Sequence, residues 1–469
     1  LTLEWVGLFP GKRESRRFNG LYTLTQQDVI NQSIHYDAVA YGGWAIDLHP
    51  ADGVYAGGNG CHQWHSKGVY QIPYRCYVTP DLDNLFVGGR IISSSHVANG
   101  TTRVMCTSAL GGEVIGRAAS ICLSKGYKPI DLVDRDRIGL LQSLLVKNGN
   151  FIPGIAVAVE DNLADSAEIS VSSVLELDDL PADGTWFGLD YPIAQLIPVN
   201  GKVPVVRMNV KADNATRLVM ELRSSSKSEN YTPDTIDAVL EFDLKKDENE
   251  IVADFSYSYA TPRYAFICLM KNPEISVPMS GRLVTGLTAV YNYINPAVSN
   301  FGKQVPPEGI GVEEFEFWCP KRRPESKNIA MSFAPPLASF NSENLRNSYY
   351  RPYIGTNAWV AAFDDARPEV CFKWNGRKQI KTIILYFDTD TDQAMETVQM
   401  GHFDACVPTC YREYIVRDSV GKELYHITGN HQTLNVLELD QPVTTDAIYV
   451  NFVRPCGDVC PGLMGVYVC

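Results

Sequence analysis

The sequence predicts a multidomain α+β protein, with a helix-bearing first segment followed by two antiparallel β-sandwiches. Three observations carry this expectation. Residues 1–150 mix short apolar runs with helical periodicity, and from about Asp165 the apolar period changes to two, which is typical of half-buried strands. A second β-rich stretch begins near residue 326. We therefore expect three domains, at residues 1–150, 151–325 and 326–469.

Length and charge bound the classes of function. A chain of 469 residues is long enough for two to four domains. Its 45% hydrophobic and 20% charged content is typical of a soluble globular protein. The net charge of −13 disfavours nucleic acid and anionic membranes as partners. No apolar run reaches about 18 residues, so we expect no transmembrane helix.

The first segment predicts a strand, a turn and two helices. Asn84–Gly88 is a short apolar run, and Gly88-Gly89-Arg90 follows it as a turn where a backbone can approach a ligand closely. Thr101-Thr102 is expected to cap a helix from about Arg103 to Leu123. A second helix is expected over Ile130 to Leu145, because its leucines recur on one side.

The middle segment alternates apolar and polar residues, as strands with one buried face do. The alternating runs are Ala167–Val174, Val203–Val210, Arg217–Leu222, Ala238–Leu244 and Ile251–Tyr257. Turn signals separate them at Ala182-Asp183-Gly184, Asn200-Gly201 and Asp247-Glu248-Asn249. This punctuation predicts an antiparallel sandwich with a structural or ligand-binding role.

The last segment has a different order of strands. Gly355–Ala361, Ile380–Asp388 and Tyr414–Asp418 lie in an order that resembles the discoidin-like, galactose-binding-like sandwich. The resemblance implies loops at one end that bind sugars or partners. The loop candidates are His402, Phe403, Asp404 and Tyr411. The alternative is an accessory sandwich that binds nothing.

An ordered set of blocks gives the first segment a more specific resemblance. The blocks are IPYR at 72–75, NLFVGGR at 84–90, SSSHVANGTTRVM at 93–105 and GGEVIGRAA at 111–119, preceded by YGGWAIDLHP at 41–50 and PGKRESRR at 10–17. Together they resemble bacterial FAD-dependent oxidoreductases, a group also labelled putative xanthan lyase. The resemblance implies the C-terminal portion of an FAD-binding domain with a glutathione-reductase-like fold.

Flavin domains of this kind hold the FAD pyrophosphate with a strand–GxGxxG–helix unit. The sequence contains no GxGxxG, and Gly57-Gly58-Asn59-Gly60 lies in a polar loop. We therefore expect an N-terminal dinucleotide-binding half to act as a partner, either in the same precursor or as another chain; the alternative is that this half was lost in evolution.

The resemblance implies FAD as cofactor and a set of contact residues. The candidates are Gly89, Arg90, Thr102, Arg103, Val104 and Met105. A helix start and an arginine beside the flavin would favour the negative charge that collects there on reduction. The alternative for these residues is ordinary packing between a strand and a helix.

Candidate catalytic residues are His49, His96 and Arg103. A histidine can exchange a proton near neutral pH, and Asp47 stands close to the first of them in the sequence. The alternative is a histidine with a purely structural hydrogen bond. Cys61-His62-x-x-His65 lacks a further ligand, so we expect no metal site.

The twelve cysteines leave two interpretations open. Cys406-x-x-x-Cys410 and Cys456-x-x-x-Cys460 are paired spacings, favouring free or disulfide-bonded cysteines over a four-thiolate zinc site with wider spacing than usual. Disulfides would indicate an oxidising compartment, so we expect a secreted or periplasmic protein.

Three functions from different classes follow. The first is an FAD-dependent oxidoreductase, here its C-terminal portion, which transfers a hydride from a small organic molecule or a carbohydrate to the flavin. The second is a non-catalytic carbohydrate-binding or surface protein. The third is a polysaccharide lyase, although the Tyr/His/Arg or Asn constellation of a lyase is not evident. A chromophore near 450 nm separates the first from the others.

Overall fold

The computed structural model describes residues 2, 4–5, 16–156, 161–295, 300–306, 308–321, 327–389 and 407–469. Within these ranges the α-helices all lie before residue 150, and the ladders between strands are antiparallel. The fold is therefore α+β and multidomain, with a helix-bearing segment followed by antiparallel β-sandwiches, as the sequence predicts. No helix in the described ranges has the length and hydropathy needed to cross a membrane.

The first segment contains the helices and two small sheets. Its elements are α1 (Gln26–Ile30), β1 (Ala38–Gly42), β2 (Ile46–Leu48), β3 (His62–Trp64), β4 (Tyr70–Pro73), α2 (His96–Thr102), α3 (Met105–Lys125) and α4 (Arg135–Lys147). Strand β1 pairs with β4, and β2 pairs with β3. The buried faces of α3 and α4 enclose β1 and β4 in one hydrophobic core.

The middle of the chain is almost entirely strand. Its elements are β5 (Glu168–Val171), β6 (Leu177–Leu180), β7 (Trp186–Leu189), β8 (Ile193–Val199), β9 (Val205–Ala212), β10 (Thr216–Ser224), β11 (Thr235–Leu244), β12 (Asp247–Ala253), β13 (Arg263–Leu269), β14 (Asn272–Ser280), β15 (Ala289–Tyr291), β16 (Ile294–Asn295), β17 (Asn300–Phe301), β18 (Lys303–Gln304), β19 (Phe315–Glu316), β20 (Cys319–Pro320), β21 (Asn328–Ile329) and β22 (Met331–Leu337). One sheet has the order β11-β10-β13-β8-β15-β20. The other has the order β21-β14-β9-β22-β6, with β12 paired to β9 and β7 to β14. Strand β8 is buried along its whole length, whereas β9 alternates, because only one face of β9 meets the core.

The last sandwich is built on two long strands. Its elements are β23 (Trp359–Val360), β24 (Glu369–Phe387), β25 (Tyr411–Asp418), β26 (Glu423–Ile427), β27 (Leu434–Pro455) and β28 (Gly462–Val468). They pair in the order β23-β28-β24-β27-β25-β26. The β24–β27 ladder shifts register at two places, where the long strands bend. These bends fold the sheet around a core that includes Trp359, Phe372 and Phe387.

Two strands cross between the sandwiches. Strand β5, which the sequence places before the middle sandwich, pairs with β24 of the last one. Strand β22, which follows residue 326, pairs with β9 and β6 of the middle one. The middle core also includes Tyr386 and Met464 from the last sandwich. The two sandwiches thus share strands and core, and the expected boundaries at 150/151 and 325/326 stay predictions.

Two local predictions for the first segment are wrong. Asn84–Gly88 is not a strand, because its backbone pairs only through an isolated bridge between Val78 and Phe86 and a bond from the Val87 amide to the Tyr77 carbonyl. Thr101-Thr102 does not cap a helix but ends α2, and Arg103 and Val104 separate α2 from α3. The second helix is confirmed, beginning at Arg135 after a 3-10 turn at Pro129–Val133.

Candidate functional site

Arg103 and Asp47 form the centre of the candidate site. The Arg103 Nη2 donates to the Asp47 backbone carbonyl at 3.1 Å and approaches its carboxylate Oδ2 at 3.5 Å. Both side chains are about 85% buried. A charged pair in that environment is screened less by solvent than a surface pair, so it fixes the position of the guanidinium.

The close approach of α2 to β2 makes this pair possible. Gly100 lies in α2, and a Cβ at that position would be 3.2 Å from both the backbone nitrogen and the carbonyl oxygen of Asp47. Thr101 adds two hydrogen bonds, donating to the Trp44 carbonyl at 2.5 Å and pairing with the Tyr70 hydroxyl at 2.9 Å. Helix α2 is therefore held directly on β2, with Arg103 at its C-terminal end.

His49 joins the same carboxylate from the other side. Its Nε2 lies 3.2 Å from Asp47 Oδ2, and its Nδ1 lies 3.1 Å from the Gly60 carbonyl oxygen. Burial, followed by the nearby Asp47 carboxylate, raises the pKa of the Cys61 thiol. Two of the three predicted catalytic residues, His49 and Arg103, are thus brought together by Asp47, while the imidazole of His49 stays 42% exposed.

The break between α2 and α3 leaves the start of α3 open. Val104 is the N-cap residue and makes no side-chain capping bond, and the next residue, Met105, is 87% exposed. The amides of the first turn of a helix have no intrahelical acceptor and carry partial positive charge. The 21 residues of α3 therefore begin with an anion-favouring end beside Arg103.

Gly89 and Arg90 form a 3-10 turn that packs on α3. Gly89 has φ +66°, and a Cβ there would meet nothing within 4 Å, so the turn is open on that side. The preceding Gly88 is close-packed, because its Cβ would lie 2.7 Å from the Ile115 side chain of α3. The turn thus presents bare backbone to one side while α3 supports the other. Arg90 itself is exposed.

Several buried polar atoms in α2 or next to it lack a hydrogen-bond partner within the described ranges. Among the described residues, Asn99 Oδ1, Thr102 Oγ1 and Asp47 Oδ1 accept or donate no hydrogen bond. Asn99 and Thr102 are each 1% exposed. Unsatisfied buried polar atoms are costly and are expected to have a partner in the working molecule. His96, the first residue of α2, is exposed, and Ser95 caps that helix by accepting from the Ala98 amide.

Two further histidines of this segment, His62 and His65, have separate surroundings. His65 stacks on Phe317 with ring centroids 3.9 Å apart, and its backbone amide donates to Gln304 Oε1. It therefore packs the first segment against the middle one. His62 lies exposed at the start of β3.

A cavity that the sequence did not predict lies where all three parts of the chain meet. It has a volume of about 40 Å³, enough for a few water molecules. Its lining includes Val69 from the first segment, Phe151 just after that segment, Glu229, Asn230 and Tyr231 from the loop between β10 and β11, and Arg351 and Tyr353. A second cavity, of about 330 Å³, shares Ser228, Asn230 and Tyr264 of this lining. The sequence signal was the aromatic cluster Tyr349–Tyr353, in which Tyr353 packs edge to face on the distant Phe151.

The loop between β10 and β11 is fixed on the first segment. The Lys227 ammonium donates to the carbonyls of Asn31 and Gln32, and the amides of Tyr231 and Thr232 donate to the Lys67 carbonyl. Burial lowers the pKa of the Lys227 ammonium. The cavity therefore has a wall held by several hydrogen bonds.

The cysteine and loop predictions have a mixed outcome. Cys456 is disulfide-bonded, whereas Cys410 and Cys460 carry free thiols. Tyr411 is buried in the core of the last sandwich, so it lies outside any sugar-binding loop. Cys406, His402, Phe403 and Asp404 lie outside the described residues.

Comparison with known families supports part of this interpretation. Residues 1–145 match the family model described as FAD dependent oxidoreductase. The match covers the site around Arg103 and all of α2 and α3. The matched description names an oxidoreductase and not a lyase. No curated protein matches the chain.

Solved structures similar to part of the chain are carbohydrate-binding modules. A chitosan-binding module of a chitosanase/glucanase from Paenibacillus sp. IK-5 is 11% identical over 28% of this chain and 86% of that one, with a TM-score of 0.21. The family 32 module of Streptococcus pneumoniae EndoD is 11% identical over 28% and 86%, with a TM-score of 0.22. The family 32 module of C. perfringens NanJ, in complex with galactose, is 9% identical over 28% and 85%, with a TM-score of 0.21. No conclusion about this chain's ligand follows from likenesses of this size.

Proposed function

We propose that the chain is the C-terminal portion of an FAD-dependent oxidoreductase that removes a hydride from an organic substrate such as a carbohydrate. The observation that carries the proposal is the Arg103–Asp47–His49 cluster at the open start of α3. It lies inside the segment that matches the oxidoreductase family. The proposal assigns each of these side chains a separate task.

The residues present fit an isoalloxazine ring. The open turn at Gly89 and the uncapped start of α3 offer bare backbone, and the unsatisfied Thr102 Oγ1 offers a buried polar atom beside them. Gly89, Arg90, Thr102, Val104 and Met105 would hold the cofactor. When bound, FAD supplies a two-electron acceptor for the hydride.

Arg103 would stabilise negative charge near the helix start. Its guanidinium is held by the carbonyl and carboxylate of Asp47, so it is oriented before any ligand arrives. Preorganised charge is more effective than charge that must reorient during the reaction. The dipole of α3 adds to the same effect.

His49 would take the proton that leaves a substrate hydroxyl. Asp47 and the Gly60 carbonyl each lie within hydrogen-bond distance of one of its ring nitrogens, which orients the ring. Its 42% exposure leaves room for a substrate to approach. His96 is the second candidate for this role, and the two are separated by mutation below.

The pyrophosphate of FAD requires backbone amides at another helix start. In this proposal a dinucleotide-binding half, in the same precursor or as another chain, supplies them. The disulfide at Cys456 supports a secreted or periplasmic location for the protein, because disulfides persist in oxidising compartments. Nucleic acids and membranes are not among the partners proposed, given the net charge of −13.

Spectroscopy tests the function. The protein purified from its natural source should carry a stoichiometric yellow chromophore absorbing near 450 nm, and anaerobic addition of its substrate should bleach it. A colourless protein that gains no chromophore with FAD would refute the proposal. In that event the non-catalytic carbohydrate-binding protein becomes the leading function, and glycan binding without turnover would support it.

A further inference from the structure

We propose that the larger cavity, lined by Lys227, Asn230 and Arg263, is a binding site for a hydroxylated monocarboxylate of the size of a six-carbon sugar acid. The cavity lies between the loop that joins β10 to β11 and the start of β13. None of its described lining residues belongs to the cluster around Arg103. This inference therefore goes beyond the proposed function and requires no flavin.

The cavity is large enough for a small organic molecule. Its volume is about 330 Å³. The share of liquid volume that one water molecule takes is about 30 Å³, and pockets for small organic ligands begin at about 300 Å³. A bare ion would leave most of this space to water, so we infer a ligand with a carbon skeleton.

Arg263 is a cation without a carboxylate partner in the part of the chain that the structure describes. Its Cζ lies 5.1 Å from the centroid of the Tyr259 ring, and its buried Nε makes no hydrogen bond to a described residue. On the neighbouring strand β10, Arg217 and Arg223 each pair with two carboxylates. A partly buried arginine is usually paired, and a carboxylate can accept two hydrogen bonds from one guanidinium. A carboxylate in the cavity would therefore supply the partner that Arg263 lacks.

Lys227 provides a second donor to an anion in the cavity. Its ammonium donates to the carbonyls of Asn31 and Gln32. An ammonium has three N–H groups, so one of them is left for a ligand. Burial lowers the pKa of Lys227, and an anion beside it would favour its charged form again.

The charges around the cavity match a single negative charge. The described residues that line it include no carboxylate. Asp234 accepts two hydrogen bonds from Ser226, and the Lys67 ammonium 3.1 Å away offsets its charge. Burial raises the pKa of Glu229, which is adjacent to the lining in the sequence. A dianion such as a phosphate ester would therefore exceed the one guanidinium that lacks a partner, whereas a carboxylate would balance it.

Asn230 favours a ligand that also carries hydroxyl groups. Its side chain is 6% exposed, it lines this cavity as well as the small one, and neither Nδ2 nor Oδ1 has a partner in the described ranges. An amide places donors and an acceptor side by side, which suits adjacent hydroxyls that do both. Ser225 and Thr261 add hydroxyls to the lining, and Phe266 and Ile354 add apolar surface for a carbon skeleton. A sugar acid combines one carboxylate with several hydroxyls and so complements all of these groups.

Isothermal titration calorimetry of the full chain tests the site. The sugar acids are gluconate and glucuronate; glucose lacks their charge, acetate lacks their hydroxyls, and inorganic phosphate carries a different anion. At least one sugar acid should bind, and the three other probes should bind about tenfold more weakly or worse. Arg263→Gln should weaken binding of the sugar acid about 10- to 100-fold, as expected when a charge-assisted hydrogen bond is lost.

A second variant and a control complete the test. Thr261 is an exposed lining residue, so Thr261→Trp should block the cavity even if Arg263→Gln does not fold. Arg217→Gln is the matched control, because Arg217 is an exposed arginine that does not line the cavity, and it should leave binding unchanged.

Four outcomes would overturn the inference. They are glucose binding as tight as that of the sugar acids, tighter binding of phosphate, binding unchanged in both cavity variants, and no binding of either sugar acid. The titration uses no flavin, so its result is independent of the spectroscopic test of the proposed function.

Discussion

Arg103 and Asp47 are 56 positions apart, yet one guanidinium nitrogen of Arg103 reaches both the carbonyl and the carboxylate of Asp47. This contact joins the helix break to the β2–β3 hairpin. It therefore connects two of the blocks on which the oxidoreductase resemblance rests. The same carboxylate lies 3.2 Å from His49.

Arg103→Ala should reduce flavin affinity or the rate of flavin reduction about 10- to 100-fold in the complete protein, because it removes a charge-assisted interaction. The circular dichroism spectrum should stay the same. Arg117→Ala is the matched control, since Arg117 lies on α3 and pairs with Glu113 one turn earlier on the same helix. Unchanged flavin content together with unchanged reduction kinetics would rule out the role of Arg103.

The two histidine candidates can be separated. His49→Gln should lower the turnover number about 100-fold or more with flavin content unchanged, as expected for loss of a general base. His96→Gln should have a smaller effect, because His49 is the histidine that the Asp47 carboxylate and the Gly60 carbonyl orient. His426→Gln, in β26, is the control without effect. The reverse order of the two effects would assign the proton acceptor to His96.

Asp37 supports the first segment through Arg75. Asp37 is fully buried, and its carboxylate accepts from the Arg75 Nε at 2.9 Å, the Nη2 at 3.0 Å and the backbone amide at 3.0 Å. Asp37→Ala should lower the free energy of unfolding by about 3–5 kcal/mol, because a partly buried guanidinium loses its partner. Calorimetry would show this in the transition of the first segment. Asp83→Ala, which breaks an exposed pair with Lys128, should leave that transition in place.

Glu229 predicts a pH dependence of stability. Burial raises the pKa of its carboxyl, so the folded state binds the proton more tightly than the unfolded state does. Stability should therefore fall as pH rises from the ordinary pKa of a glutamate through the raised one. Glu229→Gln cannot ionise, so its Tm should exceed that of the wild type at pH 8 and equal it at pH 4. Equal Tm differences at both pH values would contradict this assignment, and Glu250→Gln on exposed β12 serves as the control.

The β-rich part should fold without the first segment. A chain of residues 161–469 keeps the β5–β24 and β22–β9 ladders intact and should be soluble, with a strand spectrum. A chain of residues 161–325 lacks β22 and part of the shared core, so it should aggregate. A stable, monomeric 161–325 fragment would show that the middle sandwich folds without β22 and without the core residues of the last sandwich.

The 469-residue chain should bind FAD weakly or not at all by itself, because the proposed contacts serve the isoalloxazine ring and the sequence contains no GxGxxG for the pyrophosphate. Titration followed by flavin fluorescence measures this. Addition of a dinucleotide-binding half should restore tight binding. Tight stoichiometric binding by the chain alone would require a phosphate site among its own residues.

The elements with a regular period could be predicted from the sequence. Strands β9, β10 and β11 follow their alternating runs, and Gly184, Gly201 and Asp247 take positive φ at the predicted turns. The helix before the break at Arg103–Val104 could not, because α2 (HVANGTT) is rich in residues of low helix propensity, and its packing on β2 rather than its local sequence accounts for it. The sequence also could not show which sheet contains β5. Alternation of apolar and polar residues indicates which face of a strand is buried, but not which strand lies beside it.

The candidate site was predictable in part. The sequence analysis singled out Arg103 and His49 by their residue type, and Asp47 lies two positions before His49 in the sequence. The cavity was not, because Phe151, Asn230 and Arg351 come from three distant places, and nothing in their local patterns distinguishes them from loop residues. Long-range association of this kind is decided by tertiary packing alone.

The exchange of β5 and β22 between the sandwiches has an evolutionary consequence. Modules that are joined end to end can be duplicated, deleted or moved between genes one at a time. Here a recombination point between the two sandwiches would remove β22 from its place between β9 and β6 in the middle sandwich. It would also leave β24 of the last sandwich without its neighbour β5, and so with unpaired backbone groups. The pair should therefore be inherited as a single cassette, and descendants should gain or lose both sandwiches together.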